Sequence, residues 1–221
     1  MSKHIIVYSH GFGVSKDDRG LFTDISDYLP KIAHIMFDYN IEDKNSNTLI
    51  VSSLTNQVKK LSKILSDVEE KHSNATIDLI CHSQGCLVAA MLKPDKIRKT
   101  IFIAPPDKLL SYEESIKQMS IRPGTAIKDN VVIYPRRDGS TTIIPNDYWQ
   151  SRRGIIPVNL YTNFADLTLL TIINAIQDEI LGKTDFNVLS NSAKIIPLNA
   201  NHDFTGNSRK ELITNIQQII L

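Results

Sequence analysis

Ser83 lies in the run Ile77-Asp78-Leu79-Ile80-Cys81-His82-Ser83-Gln84-Gly85, where a β-rich apolar stretch passes directly into a segment of small and apolar residues. A serine hydroxyl is a weak nucleophile at neutral pH. It needs a base within hydrogen-bond reach, and it must project clear of its own backbone. A strand that turns abruptly into a helix does the second job, because the turn strains the serine and leaves its oxygen above the sheet edge. Only small residues fit two before and two after it. Gly85 meets that requirement, while Cys81, small but not glycine, departs from Gly-x-Ser-x-Gly. A serine that merely caps a helix is the alternative reading.

The elements around Ser83 alternate strand-like and helix-like patterns, which predicts a doubly wound, mostly parallel α/β sheet. Ile5–Ser9 reads as a strand ending in His10-Gly11-Phe12-Gly13. Leu21–Leu29 has helical spacing and stops at Pro30. Ala33–Phe37 reads as a second buried strand, and Leu49–Val68 as one long amphipathic helix. Ile77–Cys81, Lys99–Ala104, Leu167–Ala175 and Lys194–Leu198 are further strands, and Ser208–Leu221 is a closing helix. Residues 107–165 break this rhythm, with a helix over Leu109–Met119 and a hairpin around Val131–Tyr134 and Thr141–Ile144. They read as a lid or cap insertion within one domain spanning 1–221. In such a sheet the functional loops lie at the carboxyl ends of the strands.

Composition narrows the function class. The 221 residues are 42% hydrophobic and 22% charged, with a formal net charge of +1. Such a chain can build one substantial core and exerts no global pull on nucleic acid or an anionic membrane. Lys59-Lys60 and Arg152-Arg153 are too short for a basic patch. No stretch approaches the ~18 apolar residues of a membrane-spanning helix, and Met1-Ser2-Lys3-His4 leads straight into a strand with no signal-peptide core. Two cysteines, Cys81 and Cys86, do not make a disulfide framework and fit a reducing compartment. The expectation is a cytoplasmic protein with no membrane insertion and no nucleic-acid partner. Its oligomeric state is left open.

Taken together, His10-Gly11-Phe12-Gly13, Cys81-His82-Ser83-Gln84-Gly85, Gln177-Asp178-Glu179-Ile180 and Asn201-His202-Asp203-Phe204, each after a strand, resemble the successive signature segments of the α/β-hydrolase superfamily. The resemblance spans nearly the whole chain and is to its small bacterial-type serine hydrolases and esterases. It implies His202 as general base, in the loop after the last strand. His4, His10, His34, His72 and His82 compete less well, and His10 and His82 are expected to shape their own loops. The superfamily order places the acid between serine and histidine, which implies Asp178; Asp107, one strand earlier, is the rival. Glu179 is expected to point outward. The resemblance implies an oxyanion hole from the N–H groups of Phe12 and Gln84, the latter at a helix N-terminus.

The expected activity is hydrolysis of a small or medium carboxylic ester through an acyl-enzyme on Ser83. Alternatives are a thioesterase, amidase or carbon–carbon hydrolase with the same three residues, or a catalytically silent binding protein. Lys16-Asp17-Asp18-Arg19 reads as a solvated, self-paired loop. No His/Cys/Asp grouping has metal-ligand spacing, and Gly11-Phe12-Gly13 lacks the rest of a nucleotide loop. No cofactor and no metal are expected. Leu109, Leu110, Tyr112, Ile116, Met119, Tyr148 and Trp149 either line a pocket or pack the insertion.

Overall fold

The computed structural model describes residues 3–94, 96–136 and 139–221. Strand β1 (His4–Ser9) leads to helix α1 (Leu21–Asp27) and strand β2 (Ala33–Ile35). Two short strands, β3 (Ile41–Asp43) and β4 (Thr48–Ile50), precede helix α2 (Leu54–Lys71). Strand β5 (Thr76–His82), helix α3 (Gln84–Ala90) and strand β6 (Ile97–Ile103) follow. Then come helix α4 (Tyr112–Met119), strands β7 (Ala126–Lys128), β8 (Val131–Pro135) and β9 (Thr141–Ile144), and helix α5 (Asn146–Ser151). Helix α6 (Pro157–Ala165), strands β10 (Leu169–Ala175) and β11 (Lys194–Leu198), and helix α7 (Asn207–Ile220) close the chain.

Six strands form an all-parallel sheet in the order β11-β10-β6-β5-β1-β2. Successive side chains on a strand point to opposite faces, so a sheet covered on both sides needs unbroken apolar runs. Ile5, Val7, Leu79, Cys81 and Phe102 pack with residues of α2, α3 and α6. Ile6, Tyr8, Ile80, Ile101 and Ile103 pack with α1 and α7. Met1 and Ser2, the start of the segment read for a leader, lie outside the described residues.

Three expectations need adjustment. The segment from Leu49 is not helical at its start. Thr48, Leu49 and Ile50 pair in turn with Thr141, Thr142 and Ile143; the helix begins at Leu54. Pairing with β9 overrides the helical spacing, as context routinely does for short apolar runs. Strand β2 spans only Ala33–Ile35 and is half-buried at the sheet edge. The stretch 107–165 is also not uniform. Its last helix, α6, joins the main helical layer, with Tyr161 and Phe164 buried against Phe102.

A second sheet of five strands has the order β3-β4-β9-β8-β7. It draws two strands from before α2 and three from after α4. Asp129 and Asn130 join β7 to β8 with φ of 51° and 62°. A two-residue hairpin with both central residues at positive φ matches the natural strand twist. Among the described residues, no helix is long and apolar enough to cross a membrane.

Phe102 lies 5.3 Å from the Tyr161 ring and 5.5 Å from the Phe164 ring, centroid to centroid. Phe102→Ala should therefore cost about 3–5 kcal/mol in urea unfolding. A cost below about 1 kcal/mol would show that α6 is not anchored there.

Candidate active site

The turn from β5 to α3 carries Ser83 at φ 51° and ψ −123°. A non-glycine residue in this region costs about 1–3 kcal/mol and persists only where its surroundings hold it. They do: Ser83 N–H donates to the Ile103 carbonyl at 2.9 Å, and its own carbonyl accepts from Cys86 N–H at 3.0 Å. Every residue of α3 is buried. A Cβ on Gly85 would stand 2.0 Å from the Ser9 carbonyl oxygen and 2.7 Å from that of His10, both backbone atoms. Cys81, the departure from the expected pattern, is fully buried and fits without displacing the turn.

Ser83 Oγ lies 3.0 Å from His202 Nε2, and His202 Nδ1 lies 2.6 Å from Asp178 Oδ2. His202 follows β11 and Asp178 follows β10, so adjacent strand ends bring them together. Asp178 and His202 are both buried. The second Asp178 oxygen accepts N–H from Ile180 at 2.9 Å and Leu181 at 2.8 Å. Burial works to raise the Asp178 pKa, but His202 and these two amides outweigh it and hold the carboxyl below its ordinary value. Asp107, the rival acid, instead accepts the Asp185 N–H at 2.9 Å. Glu179 is exposed, yet its carboxylate turns back to accept the His202 N–H at 3.0 Å, contrary to the outward orientation expected from Ile180.

Phe12 and Gln84 flank Ser83 on one cleft. Among the described residues, neither backbone N–H donates to another part of the chain. The Gln84 side chain is held away from that job: its Oε1 accepts from Tyr148 Oη–H at 2.6 Å, and its Nε2 donates to Gln57 Oε1 at 3.0 Å. Burial pushes the Tyr148 phenol up to about 12, so it stays a donor. Arg136 donates to the Gly13 carbonyl at 2.7 Å, which braces the Phe12 loop from outside.

The run Lys16-Asp17-Asp18-Arg19 is not the solvated loop expected. Asp18 is buried, and its Oδ2 accepts from Gly11 N–H and from His82 Nδ1–H, each at 2.8 Å. Arg19 reaches Asp203 through two contacts of 3.1 and 2.9 Å. Nothing in the spacing of that charge run shows that one carboxylate turns inward. His10 and His82 do shape their loops: His10 Nε2 accepts the Tyr39 N–H at 2.9 Å, and His82 Nε2 faces the His202 carbonyl at 3.1 Å. His82, His202 and Asp203 place one ligand-type atom each within 4.8 Å of one another. All four imidazole nitrogens of that trio already face partners on the chain.

Two clefts meet at Ser83. The larger, about 730 Å³, is bordered by Leu87, Leu109, Met119, Ile121 and Leu181, with Tyr148 beside Gln84. The smaller, about 240 Å³, includes Arg19, Arg136, His202 and Asp203. Phe12, Met119 and Ile180 border both.

No protein-family model matches the chain, and no curated protein matches it by sequence. Solved structures do match. Est1E from Butyrivibrio proteoclasticus superposes with a TM-score of 0.67 at 16% identity, over 99% of this chain and 88% of its own. The alpha/beta hydrolase GrgF from Penicillium sp. sh18 gives 0.68 at 15% identity, over 99% and 89%. The chain has the α/β-hydrolase fold. The Pyrococcus furiosus esterase Pf2001 shares this fold with a TM-score of 0.64 at 13% identity, over 99% of this chain and 82% of its own. In this α/β-hydrolase fold, the β5–α3 turn, the β10 loop and the β11 loop converge on one point above the sheet.

A pH dependence of stability follows. The folded Asp178 carboxyl titrates below its unfolded value of about 3.9, so its contribution is present above that value and lost as pH falls through the folded pKa. Wild type should exceed Asp178→Asn in melting temperature near neutral pH, and the gap should close on acidification. A gap that widens in acid would contradict the assignment.

Proposed function

We propose that the chain is a serine hydrolase that cleaves a small or medium carboxylic ester through an acyl-enzyme on Ser83. The observation that carries this reading is the continuous chain from a strained Ser83 through His202 to buried Asp178, at 3.0 and 2.6 Å.

In this reading His202 Nε2 takes the hydroxyl proton as Ser83 Oγ attacks the ester carbonyl. Asp178 keeps the Nδ1 proton in place and stabilises the imidazolium. The carbonyl oxygen gains negative charge and accepts hydrogen bonds from the N–H groups of Phe12 and Gln84; one such donor is worth roughly 3 kcal/mol. His202 then gives its proton to the departing alcohol. Water, deprotonated by the same imidazole, releases the acid and restores Ser83.

The larger cleft supports an apolar acyl or aryl group. Its volume of about 730 Å³ lies within the usual range for small-molecule sites. Est1E, similar in fold, has been solved with ferulic acid bound, and an aryl acid of that kind is within the size this cleft admits. A silent binding protein drew its support from Cys81, and the 3.0 Å approach of His202 to Ser83 weighs against it. The two buried thiols, unpaired in the structure, are in keeping with a reducing compartment.

Turnover of p-nitrophenyl butyrate tests the reading. Ser83→Ala and His202→Ala should each lower kcat by about a millionfold, and Asp178→Asn by about ten-thousandfold. Wild-type turnover in Ser83→Ala would sink the proposal.

A further inference from the structure

One carboxylate oxygen joins three loops. Asp18 Oδ2 accepts from Gly11 N–H at 2.8 Å and from His82 Nδ1–H at 2.8 Å. His82 Nε2–H in turn donates to the carbonyl of His202 at 3.1 Å. Gly11 precedes the proposed oxyanion donor Phe12, His82 precedes Ser83, and His202 is the proposed base. We infer that Asp18 is a positioning residue that, through His82 and Gly11, holds the oxyanion loop and the base loop in one register. This rests on the hydrolase reading above.

Proton counting shows why a carboxylate is required. Both nitrogens of His82 face oxygen atoms, so the ring needs a proton on each side, by itself or shared with Asp18. His82 and Asp18 are almost fully excluded from water. A second proton is kept in such a place only beside a compensating carboxyl. Burial disfavours the charged forms, yet the pair offsets it: His82 is held above its ordinary pKa and Asp18 below its own. Glu179 completes the arrangement from the other side by accepting the His202 N–H at 3.0 Å. The backbone of the base is therefore gripped at both its amide and its carbonyl.

An amide at position 18 cannot reproduce this. If its oxygen faces Gly11 N–H and His82 Nδ1, neutral His82 must spend its single proton there and loses the His202 carbonyl. If its nitrogen faces them, His82 keeps the His202 link but Gly11 N–H meets a donor. One of the three links is lost in either orientation. When His82 is absent, the amide oxygen can serve Gly11 alone, and nothing further is lost.

A double-mutant cycle reads this directly. Wild type, Asp18→Asn, His82→Ala and the double variant are compared on p-nitrophenyl butyrate at a temperature where near-UV circular dichroism shows all four folded. Each single variant should lower kcat by about 10- to 100-fold with KM within about two-fold, as expected when a reacting group is misplaced. The double variant should match His82→Ala within about two-fold. If His82→Ala does not fold, His82→Gln replaces it, since glutamine reaches only one of the two acceptors. Wild-type kcat in Asp18→Asn, or losses that multiply in the double variant, would overturn the inference. Failure of the hydrolase reading looks different: wild-type turnover would then survive Ser83→Ala.

Discussion

The backbone of α3 crosses the end of β1 at a distance that only glycine permits. With any side chain at position 85, a Cβ would stand 2.0 Å from the Ser9 carbonyl oxygen. That close approach lets the chain leave β5 and enter α3 with no intervening loop, through a turn in which Ser83 stands at positive φ. The strain is local, and the means of holding it are spread out. Ser83 N–H is tied to β6, Ser9 Oγ–H donates to the Gly85 carbonyl at 2.9 Å, and the whole of α3 is buried between the sheet and α2 and α6. The apolar layers thus do more than stabilise the domain. They keep one hydroxyl in a conformation it would not adopt in a free chain.

The charged groups near that hydroxyl are arranged with the same economy. Asp178 uses one oxygen for His202 and the other for two amides. Asp18 uses one oxygen for both Gly11 and His82. Burying a carboxylate is costly unless it meets donors, and each of these takes a histidine N–H from another segment together with backbone N–H from its own loop. Each carboxylate therefore also fixes the spacing between loops that are distant in sequence. Gln84, Gln57 and Tyr148 form a comparable neutral chain on the other side of Ser83.

Much of this is legible in the residues. Strands inside the sheet announce themselves as apolar runs, so β1, β5, β6 and β10 can be read close to their observed limits, and the edge strand β11 is legible from its short apolar run although it is partly exposed. Ser83 can be nominated from its strand-to-helix turn, whereas His202 and Asp178 are nominated by the resemblance to the α/β-hydrolase order, since Asp107 also follows a strand end. The rest depends on contacts the sequence does not encode locally. Leu49 and Ile50 continue the helical spacing of α2 and become strand because β3 and β9 lie on either side of them. Asp18 sits in a run of four charged residues, and its partner His82 is 64 positions away. Glu179 looks outward-facing by its neighbour Ile180, yet reaches the backbone of His202 across 23 positions.

In the proposed reaction Ser83 is a nucleophile made reactive by His202 and Asp178. Incubation with a fluorophosphonate, followed by intact-mass and peptide mass spectrometry, tests it most directly. A single covalent adduct should form on Ser83, rapidly in wild type and far more slowly in His202→Ala. No adduct, or one on another residue with Ser83 unmodified, would contradict it.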